Sequence, residues 1–281
     1  MVKHFLLKIY AALFIVGVFS LNGCNVDLFG LFGSADLNDR LRERGNFVFL
    51  SEEKRNISLG GEYSFIVVTD IHIEDGETHG LERLKQVIDS DDSIKFVVVT
   101  GDITQYGAAQ DLQKFMDIAN SLNTDLRSVP CYPVIGNHDV YFGNWPEWKR
   151  LIGSTNYRIN GGGATLLIMD SANAFFGNDQ LDWLERELKS ASGRVFVFSH
   201  VNLFVKNPAE LQQFTSTKER ARVVSILRNN CDMMFMGHAH RRSINEAGNV
   251  LYVGIEAFVD TQTYCVVSVS STGVTYRFEK L

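Results

Sequence analysis

Residues 65–72 read Phe65-Ile66-Val67-Val68-Thr69-Asp70-Ile71-His72, a run of apolar and β-branched residues that passes without a break into an aspartate and then a histidine. The same construction recurs four times. Phe96-Val97-Val98-Val99-Thr100 leads into Gly101-Asp102, and Pro133-Val134-Ile135 into Gly136-Asn137-His138-Asp139. Val195-Phe196-Val197-Phe198-Ser199 leads into His200, and Met233-Met234-Phe235-Met236 into Gly237-His238-Ala239-His240. Short continuous apolar runs bounded by turn residues read as buried strands, here Tyr63 to Thr69, Phe96 to Thr100, Cys131 to Ile135, Thr165 to Met169 and Val195 to Ser199. Between them Leu81 to Ile88, Ala108 to Leu122, Asp179 to Leu188 and Lys218 to Leu227 repeat apolar residues at the helical period, with charged outer faces. Strands alternating with helices predict an α/β fold. After Asp232 the pattern becomes strands joined by short turns: Met233 to Met236, Val250 to Val253, Tyr264 to Val269 and Val274 to Phe278. That tail is expected to add antiparallel strands and make the sheets mixed.

Parallel strands bring their C-terminal ends to one edge, where open α/β folds place their ligands. Residues i and i+2 of an extended segment share a side, so Asp70 with His72, and His238 with His240, are each expected to grip one object. Carboxylate, amide and imidazole groups without thiolate suit Mn, Fe or Zn. Seven candidates converge, Asp70, His72, Asp102, Asn137, His200, His238 and His240, where a single catalytic zinc needs three protein ligands. Two ions are expected. Taken singly, each motif also has an ordinary use, as an Asx turn, a capped turn, a core histidine or an exposed bend. In sequence order, each after an apolar strand, they are hard to explain that way.

On these five blocks the stretch from Tyr63 to about Leu281 resembles the calcineurin-like metallophosphoesterases. The roughly thirty residues between Gly101-Asp102 and Gly136-Asn137, with the helix start Gln180-Leu181-Asp182-Trp183-Leu184, look most like the cyclic-nucleotide phosphodiesterase-type branch. The resemblance implies a four-layer α/β/β/α sandwich with two mixed β-sheets and a dinuclear site. It assigns Asp70, His72 and His240 to a first ion, Asn137, His200 and His238 to a second, and Asp102 to a bridge. Two ions roughly 3.5–4 Å apart would activate a bridging hydroxide and hydrolyse a small phosphodiester or phosphomonoester, the diester being the better expectation. His138 stands beside a ligand without being needed as one, which makes it the expected proton donor, oriented by Asp139. Arg241 and Arg242 either clamp phosphate oxygens or form a solvated pair. Tyr141, Phe142, Trp145 and Trp148 either stack on a nucleobase or pack a short helix on the sheet.

The chain has 281 residues, 45% hydrophobic and 21% charged, with four prolines, which excludes a disordered tail, a fibre or a disulfide miniprotein. Lys3 and Lys8 precede an apolar run from Ile9 to Phe19, short for a membrane span and suited to a signal peptide. Leu21-Asn22-Gly23-Cys24 resembles a bacterial lipobox, implying cleavage after residue 23 and lipidation of Cys24. The expected division is a signal peptide over 1–23, a lipid-anchored spacer over 24–46 and one metallophosphoesterase domain over 47–281. The expected location is the periplasmic face or the cell surface, with the membrane as partner through the anchor. Losing residues 1–23 removes Lys3 and Lys8 and no acid, taking the formal charge from −6 to −8. Such a surface repels nucleic acid, which counts against a nuclease. The other alternative is a non-catalytic surface lipoprotein that binds a partner. Cys131, Cys231 and Cys265 are expected as buried free thiols, with one bridge the alternative in an exported protein.

Overall fold

A computed structural model describes residues 36–123, 127–207 and 212–281. The signal-peptide, lipobox and Cys24 expectations lie outside the described residues. Among the described residues twelve strands run in chain order: β1 Asn56–Ile57, β2 Tyr63–Val68, β3 Ile94–Thr100, β4 Cys131–Val134, β5 Tyr157–Gly161, β6 Ala164–Ile168, β7 Arg194–Phe198, β8 Met233–Met236, β9 Ser243–Ala247, β10 Val250–Gly254, β11 Thr263–Ser270 and β12 Gly273–Lys280. The helices are α1 Leu37–Leu41, α2 Glu52–Arg55, α3 Leu84–Ser90, α4 Ala109–Ser121, α5 Trp145–Leu151, α6 Gly177–Lys189, α7 Thr217–Leu227 and α8 Phe258–Thr261.

The strands form a five-stranded sheet of order β12-β11-β2-β3-β4 and a seven-stranded sheet of order β1-β5-β6-β7-β8-β10-β9. Both sheets are mixed. They face each other through aromatic rings: Phe65 of β2 stacks on Phe96 of β3 at 4.6 Å and meets the ring of Phe196 of β7 edge-on at 5.0 Å. Because side chains alternate along a strand, Val195, Val197, Met234 and Met236 turn the other way. They bury against Leu181 and Leu184 of α6 and Val223 and Leu227 of α7. Helices α3 and α4 connect the parallel strands β2, β3 and β4, and the right-handed rule for such crossovers assigns both to one face of that sheet. Leu84, Ile88, Leu112 and Phe115 bury there. The result is the expected α/β fold in four layers, with helices outside both sheets.

The differences from the sequence reading have physical causes. The tail after Asp232 adds antiparallel pairs as expected, and β8 within it lies parallel to both β7 and β10. Antiparallel pairing comes from β9, β11 and β12. Strand β9, Ser243-Ile244-Asn245-Glu246-Ala247, escapes an apolar-run reading because it is a half-exposed edge strand. Strand β5 escapes because its polar residues alternate with buried Tyr157 and Ile159 before the turn at Gly161-Gly162-Gly163. Residues 36–46, expected as spacer, carry α1, capped by the Asp36 side chain, with Leu37, Arg40 and Leu41 buried. Cys131, Cys231 and Cys265 are buried free thiols, and burial pushes Cys131 and Cys265 up to about 12. No helix among the described residues is long and apolar enough to cross a membrane.

Candidate metal centre

All seven predicted ligands gather at the C-terminal ends of β2, β3, β4, β7 and β8. The backbone there is not extended. Asp70, His72, Asp102, His238 and His240 have φ of 51°, 54°, 49°, 66° and 53°, the left-handed region that side-chain-bearing residues seldom enter. Left-handed turns, rather than the two-residue repeat of a strand, therefore aim these side chains inward. One consequence departs from the extended-strand reading and agrees with the assignment that the resemblance implies: His238 and His240 fall in different candidate sets. His240 groups with Asp70 and His72, whereas His238 groups with Asp102 and His200. His72 also joins Asp102 and His138 in a third set, which places Asp102 between the two halves.

The inner contacts run between groups that all carry lone pairs. His240 Nε2 is 3.5 Å from Asp70 Oδ1, and His72 Nε2 is 3.9 Å from Asp102 Oδ2. His200 Nε2 is 3.1 Å from Asp102 Oδ2 and 2.9 Å from Asn137 Oδ1. His238 Nδ1 is 3.0 Å from the same amide oxygen. Every one of these histidines has its other ring nitrogen against an oxygen. His72 Nδ1 is 2.6 Å from Gln105 Oε1, His200 Nδ1 2.9 Å from the Thr100 carbonyl, His238 Nε2 2.6 Å from the Gln212 carbonyl and His240 Nδ1 3.1 Å from Asp260 Oδ2. Acceptors on the outside fix the N–H there and leave the inner nitrogen with its lone pair, the arrangement found behind metal-bound histidines. Lone pairs converging on buried carboxylates form a set that could hold a cation. His72 Nε2 is accordingly buried with no hydrogen-bond partner.

Electrostatics point the same way. Asp70, Asp102, Asn137, His200 and His238 are almost completely buried. Burial opposes ionisation of Asp102, yet His200, His138 and His72 hold its carboxyl well below the usual range. Burial likewise opposes charge on His200, and the Asp102 carboxylate overrides it, lifting the imidazole to about 10. His72 and His238 are lowered, chiefly by burial. A positive charge beside Asp102 is thus favoured whether a proton or a metal ion supplies it, and metal uptake would displace the proton. Oxygen and imidazole donors without thiolate fit Mn, Fe or Zn.

His138 lies where expected, but Asp139 does not orient it. The His138 N–H donates to Asp102 Oδ1 at 2.9 Å, and its ring Nδ1 is 2.9 Å from the Gln105 carbonyl. The ring packs edge-on to His72 at 4.6 Å and tilted against Tyr141 at 4.4 Å. Asp139 instead is fully buried and accepts from Gly136 N, Ile103 N, Thr104 N and Thr104 Oγ1. It ties the two strand-end loops together. Burial, followed by the Asp102 charge, pushes its carboxyl up to about 7 against the pull of those N–H groups. Arg241 donates to the Lys206 carbonyl at 2.9 Å, while Arg242 pairs with Glu256 and lies over the Phe278 ring. Trp145 and Trp148 are buried on α5, which fits helix packing.

The outer partners Gln105, Gln212, Thr100, Tyr141 and Asp260 were not assignable from sequence. Two of the contacts use main-chain carbonyls, which any residue carries, and Gln105, Gln212, Tyr141 and Asp260 stand outside the recurring blocks.

A sequence model of the calcineurin-like phosphoesterases matches residues 63–242, the stretch holding all five blocks. The chain belongs to that family. Among its relatives, a zebrafish (Danio rerio) protein named serine/threonine-protein phosphatase CPPED1 is 25% identical over 218 residues, 66% of this chain and 69% of the relative. A Fibrobacter succinogenes protein named probable cyclic nucleotide phosphodiesterase is 28% identical over 195 residues, 62% and 71% of the two chains. Of solved structures, a lupin purple acid phosphatase superposes with a TM-score of 0.62 at 12% identity, covering 80% of this chain and 52% of that one. At that identity the likeness concerns the fold alone.

Proposed function

We propose that this calcineurin-like phosphoesterase hydrolyses a small phosphodiester through two transition-metal ions. One ion would be held by Asp70, His72 and His240 and a second by Asn137, His200 and His238, with Asp102 within reach of both sets. The observation that carries this reading is the set of four histidines, each with an outer nitrogen held by an oxygen and an inner nitrogen aimed at the buried carboxylates. When bound, such ions supply a water acidic enough to ionise near neutral pH and positive charge for the phosphoryl oxygens.

The chain's own groups do the rest. Asp102 aligns the two halves and holds the His138 main chain. His138, with Nδ1 directed at the Gln105 carbonyl, presents Nε2 as the atom that hands a proton to the leaving oxygen. Asn137 turns its amide oxygen inward because its Nδ2 donates to the Tyr141 hydroxyl at 2.8 Å. Two relatives named probable cyclic nucleotide phosphodiesterase support the choice of a phosphodiester, and a third, named a phosphatase, supports the monoester alternative. We further propose export and lipidation at Cys24, which substitution of Cys24 by Ala should abolish in fatty-acid labelling of cells.

The test compares hydrolysis of bis(p-nitrophenyl) phosphate and p-nitrophenyl phosphate by Mn-supplied protein, with His240→Ala alongside. Diester preference lost in the variant supports the proposal. A faster monoester reaction would make the protein a phosphatase, and no hydrolysis of either with no Mn bound would favour a binding module.

A further inference from the structure

Gln105 stands half-buried on the loop after β3, three residues beyond Asp102, and makes three bonds to two other strand ends. Its N–H donates to the carbonyl of Ile73, next to His72, at 2.9 Å. Its own carbonyl lies 2.9 Å from His138 Nδ1. Its side-chain Oε1 lies 2.6 Å from His72 Nδ1. Both oxygens can only accept, so each faces an Nδ1–H and leaves the lone pair, or the second proton, at Nε2.

We propose that Gln105 is a positioning residue that sets the tautomer of two functional histidines through two separate atoms, its side chain acting on His72 and its main chain on His138. An amide suits the first task better than a carboxylate would. It fixes the direction of the His72 ring without adding a third negative charge beside buried Asp70 and Asp102. The main-chain contact holds the proton donor independently of the residue at 105. A side-chain substitution there therefore moves the ligand histidine and leaves the donor histidine in place, a separation that loss of packing would not produce. The metal arm of this inference rests on the dinuclear reading above. The tautomer arm does not.

The experiment uses the full-length protein, labelled with 15N-histidine and freed of metal, with Gln105→Met and Gln105→Glu. In the wild type, ring 15N shifts should report Nδ1–H on both His72 and His138. In Gln105→Met, His72 should lose that fixed tautomer while His138 keeps it. Mn titration of the same variant should show one of two ions bound about 10- to 100-fold more weakly, restored in Gln105→Glu. The inference is overturned by a proton on Nε2 of His72 in the wild type, by unchanged His72 shifts and Mn affinity in Gln105→Met, or by equal weakening in Gln105→Glu. A wild type that takes up no Mn removes the dinuclear reading, and the ring shifts still decide the role of Gln105.

Discussion

Arg40 and Asp170 form a two-point ion pair with neither side chain exposed, Nε lying 2.7 Å from Oδ2 and Nη2 2.9 Å from Oδ1. The same guanidinium reaches Asn173 Oδ1. The pair joins α1, which precedes the family-matched stretch, to the loop after β6. Ser171 of that loop accepts through its hydroxyl from the main-chain N–H groups of His200 and Val201, at 3.1 and 2.9 Å. Gln180 clamps Asp170 from the other side, bonding both its N–H and its carbonyl at 2.7 Å. A segment outside the recurring blocks is thereby coupled to a ligand histidine.

Replacing Arg40 by Met leaves the Asp170 carboxylate buried without its cation. The expected cost is about 3–5 kcal/mol, because an orphaned buried charge is worse than no pair. Urea unfolding of Arg40→Met should show a lower midpoint at unchanged slope, and the double variant Arg40→Met/Asp170→Leu should recover part of the loss. Equal losses in the single and the double variant would mean that the charge pair is not what holds α1.

Tyr141→Phe removes the hydroxyl that accepts from Asn137 Nδ2 and keeps the ring against His138. The amide is then free to turn. Loss of one such bond is worth about 0.5–1.5 kcal/mol, so Mn affinity on the Asn137, His200 and His238 side should fall roughly 2- to 10-fold at unchanged fold stability. Calorimetric titration of the variant checks this, and identical isotherms would remove Tyr141 from the support of the site.

How much of this could be read beforehand depends on where each element keeps its signal. The five strand-end blocks were legible because each combines an apolar run with polar residues that a buried strand end does not otherwise need. The split of His238 from His240 was not legible from an extended-strand argument, since it depends on left-handed backbone at both positions. Asp139 was placed beside His138 by sequence adjacency, whereas the chain turns it onto Gly136, Ile103 and Thr104. Helix α1 was hidden because its buried stripe is short and includes a charged residue, Arg40, whose partner lies 130 residues away.

The glycine of the Gly-Asp block, weak as a signal, has a fixed reason in the structure. Gly101 has φ of +92°, and a Cβ there would stand 2.5 Å from His200 Cγ and 2.7 Å from His200 Cβ. Gly101→Ala is expected to cost about 1–2 kcal/mol in backbone strain and to push His200 off its position between Asp102 and Thr100. Mn binding should then drop at the His200 side while far-ultraviolet circular dichroism stays unchanged. Full Mn affinity in the variant would show that the ring can yield without moving its nitrogen.

His138→Ala should bind Mn as the wild type does and lose turnover, most with alkyl phosphodiesters, whose leaving oxygens need a proton, and least with p-nitrophenyl esters. Rates measured across a leaving-group series decide it. A uniform loss would assign His138 to charge stabilisation, and unchanged rates on an alkyl diester would remove it from the reaction.

Metal removal should be felt in stability as well as in rate, because the ions would be the cations that the converging lone pairs could hold. At an ion concentration about a hundred times its Kd, each independent site adds about 2.7 kcal/mol by mass action. Chelator-treated protein should therefore melt at a lower temperature than Mn-supplied protein, and added Mn should restore it. Elemental analysis should give two ions per wild-type chain. His240→Ala and His238→Ala should each weaken a different one, since the two histidines face different carboxylate groups. If both variants lost the same single ion, His238 and His240 would share one coordination sphere after all, and the division of the site about Asp102 would be wrong.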